Sequence, residues 1–409
     1  MVHIAVLGHG VVGSGVVEVL GKNAIGIERR SGGRSISVKY ILDIRDFPGL
    51  SYTEKFTKDI HVILNDPDVS VVVEVMGGVH PAYEYVVSSL ERGKSVVTSN
   101  KELVAAKGAS LLAIAEQNNV NFLFEASVGG GIPIIRPLHQ CLAANEIDEV
   151  AGILNGTTNF ILTNMIHKDM SFDTALKMAQ DLGYAESDPA ADVEGHDTCR
   201  KICILASIAF GRHVYPQSVQ TEGITGLTLE DLQYADDARC VIKLIGQTHR
   251  VGDKAYVRVS PALIPHTSQL AGIDDVFNGI LVRGDATGDV VFYGRGAGKF
   301  PTASAVIGDI IDCLHTGGNI ASLRWIDSDE DNVVDPLDYP AVLYVRCEGN
   351  HIMADSLFPG VSMLSRRGQP EHEFAFLTPL LPEREIEAKL SRLEQHGSKV
   401  LSKIRMLDY

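Results

Sequence analysis

The sequence predicts an α/β protein: a doubly wound parallel sheet in the first third, a mixed α+β portion after it, and a small α+β tail. Three observations carry this. Gly8, Gly10 and Gly13 stand between an apolar strand and an apolar helix at the start of the chain. Apolar strands then alternate with helices up to "VNFLFEASV" at 120–128, the pattern of parallel strands joined by crossover helices. Between 211 and 295, strands such as "YVRVSPALI" and "GDVVFYG" are separated by turns, which predicts a mixed sheet.

The elements follow in order. "HIAVL" (3–7) is the first strand, and "ISVKYILDI" the second. "SVVVEVMGG" (70–78) is a buried strand ending in glycines, and "PAYEYVVSSLERG" (81–93) is a helix with Pro in its first turn and Gly at its stop. "KSVVTSNK" (94–101) is a strand and "KELVAAKGASLLAIAEQNN" a helix. In G-x-G-x-x-G, Gly8 permits a tight turn, Gly10 lets backbone approach a pyrophosphate, and Gly13 lets helix and strand pack closely. The helix opening at Val11 and Val12 offers free N–H groups and a positive dipole end. The first domain therefore reads as a Rossmann-type dinucleotide site.

Ligands of such sheets lie beyond the carboxyl ends of the strands, which singles out Gly77, Gly78, Thr98, Asn100, Lys101 and Glu125. Near the end of the second strand, Asp43 suits a ribose 2′-hydroxyl and hence NAD, whereas Arg45 suits a 2′-phosphate and hence NADP. Both are present, so the preference stays open, and either could be an ordinary loop charge.

The chain has 409 residues, 45% hydrophobic and 22% charged, with a formal charge of −16. Length predicts two or three domains. The negative charge argues against nucleic acid and against an anionic membrane surface as partners. No apolar run reaches the roughly 20 residues of a membrane span, and "MVHIAVLGHG" lacks the basic region of a signal peptide. Six cysteines, sparse and mostly in apolar segments, fit a reducing cytoplasm. Cys199 and Cys203 are four apart but have no second ligand pair nearby, and read as helix packing. None of the six reads as a reactive thiol in an exposed loop.

"YAESDPAADVEGHDTCRKICILASIAFG" (184–211) gathers Glu186, Asp188, Asp192, Glu194 and Asp197 ahead of an apolar helix. Charges beside a core are costly without partners. Asp197 and Lys201 are four apart and share a helix face; read from spacing alone they are a surface ion pair worth about 0.2–0.5 kcal/mol.

The succession of G-x-G-x-x-G, "TSNK", "FEASVGGGIPII", "NGTTNFIL", "LGYAESDPAADVEGHDTCRK" and "GRGAGKFPTASAVIGDI" resembles the homoserine dehydrogenases over roughly residues 1 to 320. The resemblance implies reversible hydride transfer between L-homoserine and L-aspartate 4-semialdehyde with NAD or NADP, in threonine, methionine and isoleucine biosynthesis. It makes Lys201 the group that moves the alcohol proton, with Asp197 beside it, and gives Lys101 a part in holding the substrate oxygen. Glu186 and Asp192 would hold the substrate ammonium, and Thr157 would donate to the substrate. Gly298 would meet the cofactor. A sodium or potassium ion would sit on Glu125, Val128, Gly130 and Ile132, held by backbone carbonyls plus one carboxylate. The implied domains are 1–135 for the nucleotide, with a helix at about 299–320 returning to it, 136–298 for substrate and dimerisation, and an ACT-like domain at 335–409. A homodimer or homotetramer is expected. The alternatives are a catalytically inactive nucleotide sensor and another amino-acid dehydrogenase on the same fold.

After the acidic linker "WIDSDEDNVVDPLD" (325–338), the tail reads strand, short helix "HIMADSLF", hairpin around Gly368, amphipathic helix "PEREIEAKLSRLEQHG", strand. This order resembles an ACT domain, but the "D-x-P-G" loop is missing. A structural or dimerising role stands beside a regulatory one.

Overall fold

Six strands form the first sheet: β1 (Val2–Leu7), β2 (Ile36–Leu42), β3 (Phe56–Thr57), β4 (Val69–Glu74), β5 (Ser95–Thr98) and β6 (Phe122–Leu123). All pair in parallel, in the order β3-β2-β1-β4-β5-β6. Strands covered on both faces must be apolar throughout, and Ile4, Ala5, Val6 and Leu7 are all fully buried. The order reverses between β1 and β4. That switch point places the ligand-facing strand ends at Gly8 and at residues 75–78.

The structure is a computed structural model that describes residues 1–315, 323–328 and 332–409. Two units divide the chain: Met1–Glu146, Cys203–Pro216 and Gly294–Glu330 form one, and Ile147–Ile202, Gln217–Tyr293 and Asp331–Tyr409 the other. Within the first, the helix Lys299–His315 packs along the helix Val11–Lys22. Gly15 makes this possible: a Cβ there would sit 2.8 Å from the Lys299 carbonyl oxygen. Residues 316–320 of the predicted helix, and 329–331 of the predicted acidic linker, lie outside the described residues. No described helix is long and apolar enough to cross a membrane.

One predicted strand is much shorter than expected. Of 120–128 only Phe122–Leu123 pairs with β5, and Glu125–Ser127 turns into a 3₁₀ helix. The apolar run "FLFEASV" is buried because it lines the core, not because it extends the ladder; periodicity does not separate the two.

The second unit is built on an eleven-stranded mixed sheet: β7 (Ile147–Ile153), β8 (Gln220–Thr221), β9 (Cys240–Val251), β10 (Lys254–Pro265), β11 (Phe277–Gly284), β12 (Gly288–Arg295), β13 (Pro340–Glu348), β14 (Ser362–Leu364), β15 (Glu373–Leu377), β16 (Leu381–Pro382) and β17 (Lys399–Met406). The main order is β12-β11-β7-β9-β10-β17-β13-β15-β14, with β8 on β10 and β16 on β13. Apart from the two-residue β16, the tail is therefore β-α-β-β-α-β, its helices being His351–Leu357 and Glu383–Gln395. Its last strand runs parallel to β10 through Ala262↔Arg405 and Leu263↔Met406, and antiparallel to β13. The tail thus extends the sheet of the preceding domain. Arg258 of β10, fully buried, forks onto Glu383 at 2.6 and 3.0 Å, and Arg405 of β17 bonds the same carboxylate. Burial alone would raise the Glu383 carboxyl; Arg405 and Arg258 hold it below its ordinary value.

Candidate active site

Each unit carries its own part of the predicted machinery. At the end of β1, Gly8 takes a φ of +98°, and its N–H donates to Leu42 O at 2.8 Å. A Cβ at Gly13 would lie 2.0 Å from the Gly8 carbonyl oxygen, so the third glycine is sterically required. A Cβ at Gly10 would meet nothing within 4 Å, which leaves that approach to the backbone open. No side chain caps the helix that starts at Val11, and its first turn holds no acid. The amides stay available to an anion. These residues fit a dinucleotide pyrophosphate.

Asp43 and Arg45 hold each other. The guanidinium bonds both Asp43 oxygens, Nε at 3.0 Å and a terminal nitrogen at 2.9 Å, and His9 N–H donates to the same carboxylate at 2.8 Å. The Arg45 bond holds the Asp43 carboxyl well below the usual range, against the effect of burial. Arg45 lies over Phe47, and His9 is boxed by Phe47, Tyr52 and Phe56. Burial lowers the His9 imidazole, against the pull of Asp43. A buried carboxylate under an exposed guanidinium is what the second strand presents.

At the ends of β4 and β5, Thr98 donates to Glu74 at 2.7 Å, and Asn100 N–H donates to the Thr98 hydroxyl at 2.9 Å. Asn100 also donates to Gly78 O and accepts Leu103 N–H as the helix cap. Thr98, expected at the cofactor, therefore spends its donor on a buried carboxylate. Burial raises the Glu74 carboxyl, opposed by Thr98 and the Met76 amide. Gly77 is left-handed at φ +89°. Lys101 opens the helix Lys101–Gln117, and Gly298, φ +121°, precedes the helix Lys299–His315.

The predicted cation loop is tied down through its carboxylate. The Glu125 carboxylate accepts the amides of Ile134 and Ile135 on one oxygen, at 2.6 and 2.9 Å, and of Arg136 on the other, at 2.8 Å, so it pins the following turn. The Glu125 amide donates to Asp309, which also pairs with Arg136. Burial, with the Glu125 charge, pushes the Asp309 carboxyl up to about 8. Val128, Gly130 and Ile132 are buried, and among the described residues no hydrogen bond reaches their carbonyls. Backbone carbonyls of such a loop are the oxygen ligands a hard cation takes.

In the second unit the acidic stretch finds its partners. Lys201 and Asp197 are both buried, on the helix His196–Phe210, and pair at 2.7 Å. Lys201 also donates to Leu154 O at 2.7 Å. The surface ion pair that spacing alone predicts is thus an interior one. Asn155 is the hub: its amide nitrogen donates to Asp192 at 2.7 Å and Asp197 at 2.9 Å, while its oxygen caps the helix Gly156–Lys168 through Thr158 N–H at 2.9 Å. Sequence reasoning missed Asn155, although Asn directly before a helix is the standard capping signal. Asp192 is half-buried beside this pair. Glu186 is exposed, with no side-chain hydrogen bond among the described residues, and stands outside the cluster. The Thr157 hydroxyl donates to Tyr184 O at 2.7 Å, tethering the acidic segment.

Cys199 and Cys203 are buried free thiols, as helix packing requires. Cys141, by contrast, is exposed; it ends a short π-helical turn, Pro137–Cys141.

A glycine turn ready for a dinucleotide, and a lysine held against a carboxylate inside a polar cluster, define an NAD(P)-dependent oxidoreductase. A family model described as homoserine dehydrogenase matches residues 133–311, and one described as homoserine dehydrogenase, NAD binding domain, matches residues 8–125. The chain belongs to the homoserine dehydrogenase family. It is 43% identical over 347 residues to the homoserine dehydrogenase of Synechocystis, an alignment covering 82% of this chain and 77% of that one. It is similar to the crystal structure of a homoserine dehydrogenase from Thiobacillus denitrificans, with TM-score 0.89 and 37% identity over 100% of this chain and 98% of that one. A hyperthermophilic archaeal homoserine dehydrogenase in complex with NADPH matches at TM-score 0.67 and 26% identity, over 79% of this chain and 99% of that one.

Proposed function

We propose that this chain interconverts L-homoserine and L-aspartate 4-semialdehyde reversibly with NAD(P), within threonine, methionine and isoleucine biosynthesis in the cytoplasm. The observation that carries the site assignment is the buried Lys201–Asp197 pair, tied through Asn155 to Asp192. Bound nicotinamide supplies the acceptor for the carbinol hydrogen. Lys201 takes the hydroxyl proton during oxidation and returns it during reduction. Asp197 offsets the positive charge that Lys201 then carries, and Asn155 keeps Asp197 in place. Asp192 receives the substrate ammonium. Glu186, exposed in this structure, adds negative potential for that group rather than a fixed contact. Lys101 is assigned a part in holding the substrate oxygen, and Thr157 a part in shaping the substrate loop.

Gly8, Gly10, Val11, Val12 and Gly13 cradle the pyrophosphate, with Gly77, Thr98, Lys101 and Gly298 assigned to the rest of the cofactor. The forked Asp43–Arg45 pair favours NADP as partner, since the exposed charge is the guanidinium. A sodium or potassium ion is assigned to Glu125, Val128, Gly130 and Ile132, through backbone carbonyls and the carboxylate. The tail, ACT-like in strand order, serves chiefly as structure. The active species is a homodimer or homotetramer.

Steady-state kinetics with homoserine and each cofactor test this reading. Reduced nicotinamide should appear with homoserine. Cofactor binding without turnover would instead identify a nucleotide sensor.

A further inference from the structure

We propose that Glu222 is a positioning residue for the charged end of the substrate: locked between Arg258 and Arg405, it fixes the backbone on which the Asp192 turn rests. This rests on the assignment of Asp192 made above and extends it to a residue with no part in the polar cluster.

β8 lies alongside β10, with Arg258 opposite Gln220 and Val259 opposite Thr221. Directly after it, the Glu222 amide donates to Val259 O at 2.8 Å. The next residue, Gly223, sits so close to the acidic segment that a Cβ would lie 2.3 Å from Val193 O and 2.6 Å from the Glu194 Cα. Ile224 N–H then donates to Val193 O at 2.8 Å. From the other side, Gly195 is left-handed at φ +82°, and a Cβ there would meet Thr221 and Val259 at 3.1 and 3.2 Å. Its N–H donates to Asp192 O at 3.0 Å and closes the turn. The Asp192 turn is thus seated on residues 221–224 by backbone bonds, by Gly223, which admits no side chain, and by the left-handed, closely packed Gly195.

The Glu222 side chain decides where that seat stands. Its carboxylate accepts from Arg405 at 2.8 Å and from Arg258 at 3.3 Å. Those two buried guanidiniums otherwise share the single carboxylate of Glu383. Glu222 balances the charge, two against two, and a buried charge left without its partner is costly. The pull on Glu222 therefore holds the backbone of 222–224 against β10.

The test is a double-mutant cycle of Glu222→Gln with Asp192→Asn. Glu222→Gln should raise the homoserine KM by about 2- to 150-fold, the span of coupling between residues in one network. Its kcat and its equilibrium affinity for NADP should stay within about twofold. In the Asp192→Asn background, Glu222→Gln should raise that KM no further. A lowered melting temperature with unchanged homoserine KM would overturn the proposal, as would independent, multiplicative effects in the cycle. If Asp192→Asn alone leaves KM unchanged, the assignment of Asp192 fails and this proposal with it. An effective Asp192→Asn beside a silent Glu222→Gln overturns the positioning role alone. Should Glu222→Gln not fold, Glu222→Asp keeps the charge balance, withdraws the carboxylate by one methylene, and must show the same rise in KM.

Discussion

Asn155 does two jobs that substitution can separate. Asn155→Ala removes the helix cap, about 1 kcal/mol, and two charge-assisted hydrogen bonds of roughly 1.5–3 kcal/mol each. Asp192 is half-buried and regains water, so the net loss should be about 3–5 kcal/mol. Asn155→Asp keeps the oxygen that accepts Thr158 N–H but sets a third carboxylate at the positions now 2.7 and 2.9 Å from Asp192 and Asp197. Three like charges at that spacing push one carboxyl above its ordinary range. The variant should keep its helix and lose turnover, about 10²-fold for displacement on the order of 1 Å. Its activity relative to the parent should recover as pH falls, because a protonated acid can again donate to one neighbour. Urea unfolding measures the first effect; initial rates of nicotinamide reduction from about pH 6 to 9 measure the second. Wild-type kcat and KM in Asn155→Asp at every pH would refute the argument, leaving Asn155 as a cap only.

Lys201→Ala should lower turnover by roughly 10²–10⁴ while fluorescence titration shows unchanged NADP affinity; unchanged turnover removes Lys201 from the chemistry. Arg45→Ala should weaken NADP by roughly 10- to 100-fold, the value of one charge-assisted contact, and NAD far less, read by equilibrium titration. Equal losses for both cofactors dismiss the phosphate role. His249 stacks on Tyr256, and burial lowers its imidazole to about 4. The folded ring therefore refuses a proton that the unfolded ring accepts below about pH 6.5. Stability should fall as pH drops from 6.5 towards 4, by up to roughly 3 kcal/mol. Thermal melts of His249→Phe should show a shallower acid slope than the parent, and parallel slopes would rule His249 out.

The nucleotide-binding sheet was legible because each part of it is local. β1, the glycine turn and the following helix occupy one short stretch, and their roles follow from sterics. The Lys201–Asp197 pair was legible for the same reason, being four residues apart on one helix. Asn155 was not, since its partners lie 37 and 42 residues away. The orientations of hydroxyls and carboxylates were less legible than the burial of apolar residues. Thr98, Thr157 and Glu125 each spend hydrogen-bonding capacity on the protein itself, and sequence does not say which way a polar side chain turns. The exposed Cys141 follows from one π-helical turn that no spacing rule signals. The continuity of the tail with the central sheet rests on two register pairs between β10 and β17, far apart in sequence.

That continuity bears on how the protein is made. The strand that covers the flank of β10 is synthesised more than a hundred residues after it. Until the tail leaves the ribosome, the part of β10 at Ala262 and Leu263 would lack its neighbouring strand, and Arg258 would lack the Glu383 carboxylate that Arg405 also bonds. Nascent chains should therefore depend on chaperones over this interval, and the second unit should mature abruptly, late in translation.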